Sequence, residues 1–306
     1  MNLFDRNYLV RISDLDDQNN VIQFEIKPPF NVAFECRRKI SGGNSLDLTI
    51  YGLGSEKRLL LSKRRYEFAE GLAIENGRLK SQPVQGLKKV STERGGKELI
   101  IEFFLGYGDS LKRVFLGEVV EVESQLADGQ FETTLLAVED YSARQRTYTA
   151  RTVTSKTSAI RQLMTDAGLE VGLVFLGTND YVRPKIISGR PLDILKEMAS
   201  NPSETFFTDN GKGYYLPTFP ANTSRAPLPV KAETGLLNTP SRQAEFLTFR
   251  NMVNPNFSLD TVIEVESFVD PTVNGQYKIF DLVYVGEQEG SSFTVDVQAR
   301  AIGETL

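Results

Sequence analysis

Apolar and polar residues alternate strictly along most of this chain, and that alternation fixes a pleated, half-buried backbone. In Val21–Lys27, Ile22, Phe24 and Ile26 fall on one face and Gln23, Glu25 and Lys27 on the other. Leu46, Leu48 and Ile50 repeat the pattern against Asp47, Thr49 and Tyr51. A side-chain period of two is the signature of strands with one face in a core and one in water. Further strands are predicted over Leu9–Ser13, Val32–Arg38, Leu99–Leu105, Val114–Ser124 and Phe131–Glu139. Asn76-Gly77 and Asp128-Gly129 mark turns, the second a two-residue hairpin signal. Ser55–Tyr66 is the exception, with Leu59, Leu60 and Leu61 set among Lys and Arg as a short helix or loop.

The period changes in the middle. Ile160, Leu163, Met164 and Ala167 lie at helical spacing, with Gly168 placed to end the helix. A second helix begins at Pro191, carries Leu192, Leu195 and Ala199 inward and stops before Pro202. Phe206-Phe207, Asn210-Gly211 and Tyr214-Tyr215-Leu216 predict a hairpin. Residues 217–230 hold four prolines and are the linker candidate. Alternation then resumes over Thr261–Ser267, Gln276–Val285 and Phe293–Ala301. The expected fold is mainly β with a small α/β part: a β-domain over 1–150, an α/β insert carrying two short helices plus a Pro-rich linker over 151–230, and a second β-barrel over 231–306.

Composition closes off much chemistry. Of 306 residues none is histidine and one, Cys36, is cysteine. Ser-His and Cys-His nucleophile pairs and cysteine-rich zinc sets are therefore excluded. Gly108-Asp109-Ser110-Leu111 spells an esterase signature, but the serine has no histidine to take its proton, so a turn between strands is the better account. Asp14, Asp16 and Glu25 occupy positions 1, 3 and 12 of a calcium-loop register. Asn19 replaces the required glycine, which favours an acidic hairpin tip over a hard-cation site. Neither Gly95-Gly96-Lys97 nor Gly52-Leu53-Gly54 completes a phosphate loop. Glu139 and Asp140, adjacent in a strand, are expected to point to opposite faces and not to cooperate. No catalytic, cofactor-binding or metal residues are assigned.

Charge is uneven. Residues 241–306 carry 4 Lys and Arg against 10 Asp and Glu, which argues against tight nucleic-acid binding there. Lys57, Arg58, Lys63, Arg64 and Arg65 form a basic cluster with no aromatic stacking platform, suited to docking on an acidic protein surface. The N-terminus shows no secretory signal and no apolar run reaches the ~20 residues of a membrane span, so assembly in a cytoplasm is expected.

Three stretches, in order, resemble the baseplate hub proteins of contractile-tailed bacteriophages. The first is Pro28-Pro29-Phe30 through Phe34, leading to Leu46–Leu53. The second is Phe104-Leu-Gly-Tyr-Gly108, Val114–Glu118 and Thr133–Asp140. The third runs from Gly235-Leu-Leu-Asn-Thr-Pro240 through Phe249–Asn256, Val262–Ser267, Asn274–Lys278 and Val283–Gly286 to Phe293–Ala299. Gly52 stands where the family more often has asparagine, and Leu105 where it has alanine.

The resemblance implies two tail-tube-like β-barrels per chain and a homotrimeric ring that adapts a sixfold tail tube to a threefold central spike in the virion baseplate. It implies as partners the tail tube or a tube-initiator protein, the spike, baseplate wedge proteins and the tape measure protein. Genomic DNA would pass through without specific binding, and no cofactor or membrane insertion is implied. An acidic lumen would repel DNA, so Asp260, Glu264, Glu266, Asp281 and Asp296 are the expected channel-lining residues. A tailocin or secretion-type injection-system hub shares the pattern. From other classes, a carboxylate-dependent cell-wall glycan hydrolase and a carbohydrate receptor using Phe206, Phe207, Tyr214 and Tyr215 remain as alternatives.

Overall fold

The computed structural model describes residues 5–15, 21–62, 74–75, 78–79, 99–127, 129–140, 148–175, 184–200, 203–218 and 226–302. The chain opens with β1 (Arg6–Leu15), β2 (Val21–Ile26), β3 (Val32–Lys39), β4 (Ser45–Tyr51) and the helix α1 (Ser55–Ser62). A small hairpin of β5 (Ile74–Glu75) and β6 (Arg78–Leu79) precedes β7 (Ile100–Tyr107), β8 (Ser110–Ala127) and β9 (Gln130–Val138). Next come β10 (Thr149–Val153), α2 (Lys156–Asp166), β11 (Glu170–Val174), β12 (Lys185–Gly189), α3 (Pro191–Met198), β13 (Glu204–Asp209) and β14 (Lys212–Pro217). The remaining strands are β15 (Leu228–Val230), β16 (Ser241–Gln243), β17 (Phe246–Met252), β18 (Val262–Val265), β19 (Gly275–Glu287) and β20 (Phe293–Ala301).

One 13-stranded sheet carries both ends of the chain, in the order β16-β17-β20-β19-β3-β4-β9-β8-β7-β1-β2, with β18 on the flank of β19 and β15 on β18. The β3–β19 ladder, from Lys39 opposite Asp281 to Ala33 opposite Glu287, welds the N-terminal strands to the C-terminal ones. The expected barrels do not close within one chain: among the described residues the strand path is open at both ends. The reason lies in β8. Its first half pairs with β7 and its second half with β9 alone, the switch being made at a bulge between Val119 and Glu121. A bulge bends a strand and re-aims its side chains. The second half of β8 therefore ends the β4–β9 layer with an edge that no described residue pairs, while β7, β1 and β2 fold back over the core.

That core is where the alternation points. Phe34 of β3 meets Phe103 of β7 edge-on at 5.0 Å and Phe293 of β20 at 5.9 Å, so strands from both ends of the chain share one aromatic cluster. The Gly108-Asp109 turn joins β7 to β8, with Gly108 at φ 55° and Ser110 exposed at the strand start.

The middle segment has its own core. α2 and α3 bury Ile160, Leu163, Met164, Leu192 and Leu195 against Phe206 and Tyr215. β10 pairs with β12, and β11, β14 and β13 form a separate three-stranded sheet. The β13–β14 hairpin faces two ways. Phe206 and Tyr215 enter this small core, whereas Phe207 and Leu216 enter the main one. The aromatic set therefore packs as core, with Phe207 stacked on Tyr214 at 5.0 Å.

The linker candidate needs one correction. Its last residues, Leu228–Val230, form β15, parallel to β18. Proline is tolerated on an edge strand because no ladder donor is required of it there, and Pro229 is the exposed middle residue of β15. Prolines that read as loop in the sequence thus conceal a short strand.

At the hairpin turn, Asn210 and Gly211 have φ of 54° and 77°, and a Cβ on Gly211 would lie 2.8 Å from Leu116 Cδ2. Gly211→Ala is expected to cost about 1–3 kcal/mol of stability through the left-handed backbone and this contact. A urea titration reads the loss, and an unchanged midpoint would contradict it.

Candidate assembly surface

The outward face of the sheet is continuous across the β3–β19 weld. Register places Val285, Glu35, Asp47, Leu136 and Glu121 side by side in one row across β19, β3, β4, β9 and β8. A second row runs Arg250, Asp296, Val283, Arg37 and Ser45. Every residue in these rows is half-buried or exposed, whereas their strand neighbours are buried, except that Val120 and Val122 beside Glu121 are half-buried. Carboxylates dominate: Glu35, Asp47, Glu121, Glu123, Glu132, Asp281, Glu287 and Asp296 against Arg37, Lys39, Arg250 and Arg300. Glu35 and Asp47 are direct cross-strand neighbours of like charge, and Arg37 offsets this by pairing with Glu35.

The five expected channel residues divide. Asp281 and Asp296 lie on this face. Asp296 takes a two-pronged bond from Arg250 (2.6 and 2.9 Å), and Asp281 sits 3.7 Å from Lys39. Burial raises the Asp281 pKa, with Lys39 acting against the rise. Glu264 and Glu266 are exposed on and just after β18, off the main path. Asp260, at φ 67°, forms an ion pair with Lys278 at the foot of β19. Burial and then Arg300 lower the pKa of Lys278 to about 8. Sequence reasoning missed Glu35, Asp47, Glu121, Glu123 and Glu132. Their parity was visible, but the pairing that brings them beside Asp296 was not.

Of the basic cluster, Lys63, Arg64 and Arg65 lie outside the described residues. Lys57 sits 5.4 Å from the Phe30 ring and Arg58 3.4 Å from that of Phe131, so both cations lie over aromatic faces. Asp16 also lies outside the described residues, and Glu25 is bonded by Arg11 at 3.1 Å.

Below the weld, a polar clamp fixes the α/β insert. Arg38, buried beneath β3, grips Asp209 at the tip of β13 with Nη2 bonds of 2.5 and 2.6 Å and an Nε bond of 3.0 Å. Asn44 donates to Glu139 Oε2 (2.6 Å) and to the Thr208 carbonyl (3.0 Å). The Gly211 amide donates to Glu139 Oε1 at 2.6 Å. The strand β9 ends at Val138, and Asp140 turns left-handed at φ 61°, which corrects the expectation of adjacent residues in a strand. Glu139 does interact with Asp140. Burial, then Asp140 and Asp209, push the Glu139 pKa up to about 8. With both oxygens engaged inside the protein, this carboxyl is part of the clamp and does not meet a substrate.

A profile of the family described as Baseplate hub gp41 matches residues 42–299. The chain belongs to that family. The baseplate hub is a structural component of the phage tail baseplate, and its family is structural, not catalytic. No curated protein matches the hub in sequence. Its fold is similar to that of the 43 kDa tail protein of prophage MuSo2 from Shewanella oneidensis, with TM-score 0.59, 8% identity, and 96% of this chain and 97% of that one covered. It is similar to a tail protein from Neisseria meningitidis MC58 (TM-score 0.55, 10% identity, 97% of each chain). It is also similar to the E. coli c3393 protein, a type VI secretion system component (TM-score 0.55, 10% identity, 90% of this chain and 75% of that one).

Two outcomes follow for the clamp of this hub. Arg38→Met leaves Asp209 buried without its cation and is expected to cost about 3–5 kcal/mol, whereas Arg38→Met with Asp209→Leu recovers most of that. Denaturant titration of both variants decides it. The raised pKa of Glu139 means that the folded state holds this proton more tightly than the unfolded state. Its contribution is full below about 4.5 and is lost as pH rises through about 8. Glu139→Gln is expected to flatten this part of the stability–pH curve, and a curve of unchanged slope between pH 5 and 8 would count against the assignment.

Proposed function

We propose that three copies of the hub form a ring whose inner wall is the continuous acidic face, adapting a sixfold tail tube to a threefold spike. The observation that carries this is a sheet whose exposed polar face runs unbroken through both halves of the chain and stops at edges that are unpaired among the described residues. Those edges are β16 at one side and the second half of β8 at the other. Open edges call for a strand from another chain. In a ring, the edge of β8 meets the β16 side of the next copy, and the tube-like barrels close only between chains. Each chain supplies two comparable halves, so three chains present six, the number that a sixfold tube requires.

Strand directions also give the ring two unlike ends. At one end lie the β8–β9 turn and the β19–β20 turn, one from each half. At the other lie the β3–β4 turn, the foot of β19 and the clamped insert, present once per chain. The end with matched turns suits the tube or its initiator. The end with one insert per chain suits the threefold spike. Wedge proteins and the tape measure protein complete the expected neighbours. Lys57 and Arg58 are the proposed contact for an acidic one.

An acidic wall keeps DNA moving because phosphate finds repulsion in place of counter-charges. The likeness in fold to a type VI secretion component favours a second reading, in which the same ring serves an injection system that carries no genome. Packaged DNA in purified particles separates the two.

Mass measurement of the purified hub and electron microscopy of tails test the ring: a trimer at the tube tip is expected, and a monomer absent from tails would overturn it. Asp47→Lys with Glu121→Lys is expected to leave the trimer intact and to lower infectivity roughly tenfold or more by retarding DNA. Full infectivity in that variant would remove these residues from the channel.

A further inference from the structure

The loop between β18 and β19 presents Phe268 at 99% exposure and Val269 at 76%. An exposed aromatic ring in a floppy loop would mean little, but this loop is braced from within. The Ser267 amide donates to Asn274 Oδ1 at 2.6 Å, the Asp270 amide to Ser267 Oγ at 3.1 Å and the Thr272 amide to Asp270 Oδ1 at 3.0 Å. Val273 is buried, and Tyr277 donates to its carbonyl at 2.8 Å. These bonds hold the loop backbone in its projecting course, so the ring is presented to a partner with little backbone ordering cost on binding. Exposed Glu264 and Glu266 form an acidic collar on the same projection.

At the same end of the sheet, between the insert and the main body, lies a groove of about 350 Å³. Leu192, Phe206, Phe207 and Phe280 give it apolar walls, and Lys196 and Arg300 line it as cations. An apolar cavity of roughly 150 Å³ accepts a benzene, so this groove has room for a phenyl ring and a neighbour. Glu204, also in the lining, is already held by Lys156 (2.5 Å) and the Tyr215 hydroxyl (2.8 Å). Arg300 is bonded to Glu245 at 2.5 Å, while Lys196 stands exposed on the last turn of α3. Asp140, the other carboxylate of the lining, lies beside Glu139 just past the end of β9.

We propose that Phe268 and Val269 of one copy seat in this groove of the next copy, with Glu264 and Glu266 facing Lys196. Knob and groove belong to one chain, match in size and lie at one end of the sheet, and the knob does not occupy its own groove. The exposed Lys196 of the groove is opposite in charge to Glu264 and Glu266 of the knob. Such a contact joins unlike surfaces, and unlike surfaces generate a ring when the rotation closes. The seat presupposes the trimeric ring and adds the joint that locks its insert-bearing end.

The test uses the full-length protein. Phe268→Ala is expected to weaken self-association on the order of 30-fold by sedimentation, with the unfolding midpoint of the dissociated monomer unchanged because the side chain makes no contact at home. Lys196→Glu is expected to weaken association, and Glu264→Lys with Glu266→Lys to restore it in that background. A Val269→Cys, Ala199→Cys variant is expected to oxidise to covalently joined trimers, Cys36 being buried. A ring that persists in Phe268→Ala without bridging overturns the seat and leaves the ring standing, as does bridging that stops at a closed dimer. A wild-type protein that is monomeric in assembled tails overturns both.

Discussion

Everything else in this fold hangs on the ladder between β3 and β19. Seven backbone pairings join residues 33–39 to residues 281–287, and without them the chain would be two unrelated β-layers. With them, the aromatic cluster of Phe34, Phe103 and Phe293 can form, because Phe293 comes from the C-terminal strands and Phe34 and Phe103 from the N-terminal ones. The same ladder positions Arg38 and Tyr284 on its inner side, where the insert is anchored. It also carries the outer rows of carboxylates across from one half to the other. Core, clamp and working face are three products of one strand pairing.

The strands themselves were legible because burial follows the period of two almost residue for residue. In β3 the pattern is alternate burial from Val32 to Lys39, as Val, Phe and Cys against Ala, Glu and Arg require. The helices were legible through Pro191 at an N-terminus and Gly168 past a C-terminus. Pairing was not legible: nothing in Glu35 or Asp47 indicates that their neighbours lie in β19 or β9, since register between distant strands is decided by packing that one sequence does not display. β15 was hidden by its proline, and β10 and β12 by being short and only half-covered. Glu139 and Asp140 were misjudged because a single left-handed residue breaks the two-face rule that holds inside a strand.

Chemistry and architecture agree in this hub. A chain with no histidine has given up the usual proton shuttle, and its most perturbed carboxyl, Glu139, is used to bind a backbone amide and an asparagine. The buried Arg38–Asp209 pair is costly to desolvate. Its return is orientation, since the fork of Arg38 accepts the hairpin of the insert in a single pose. Geometry of this kind suits a part whose task is to hold other parts.

The ladder between β3 and β19 also dictates when the chain can mature. β3 is made first and its partner follows some two hundred and forty residues later, so the edge of β3 stays open until β19 has been made. Contacts of such long sequence separation form late and slowly. An incomplete chain therefore has no weld, no shared core and no continuous face. Synthesis itself acts as an inspector: only chains extended through β19 can present the continuous face.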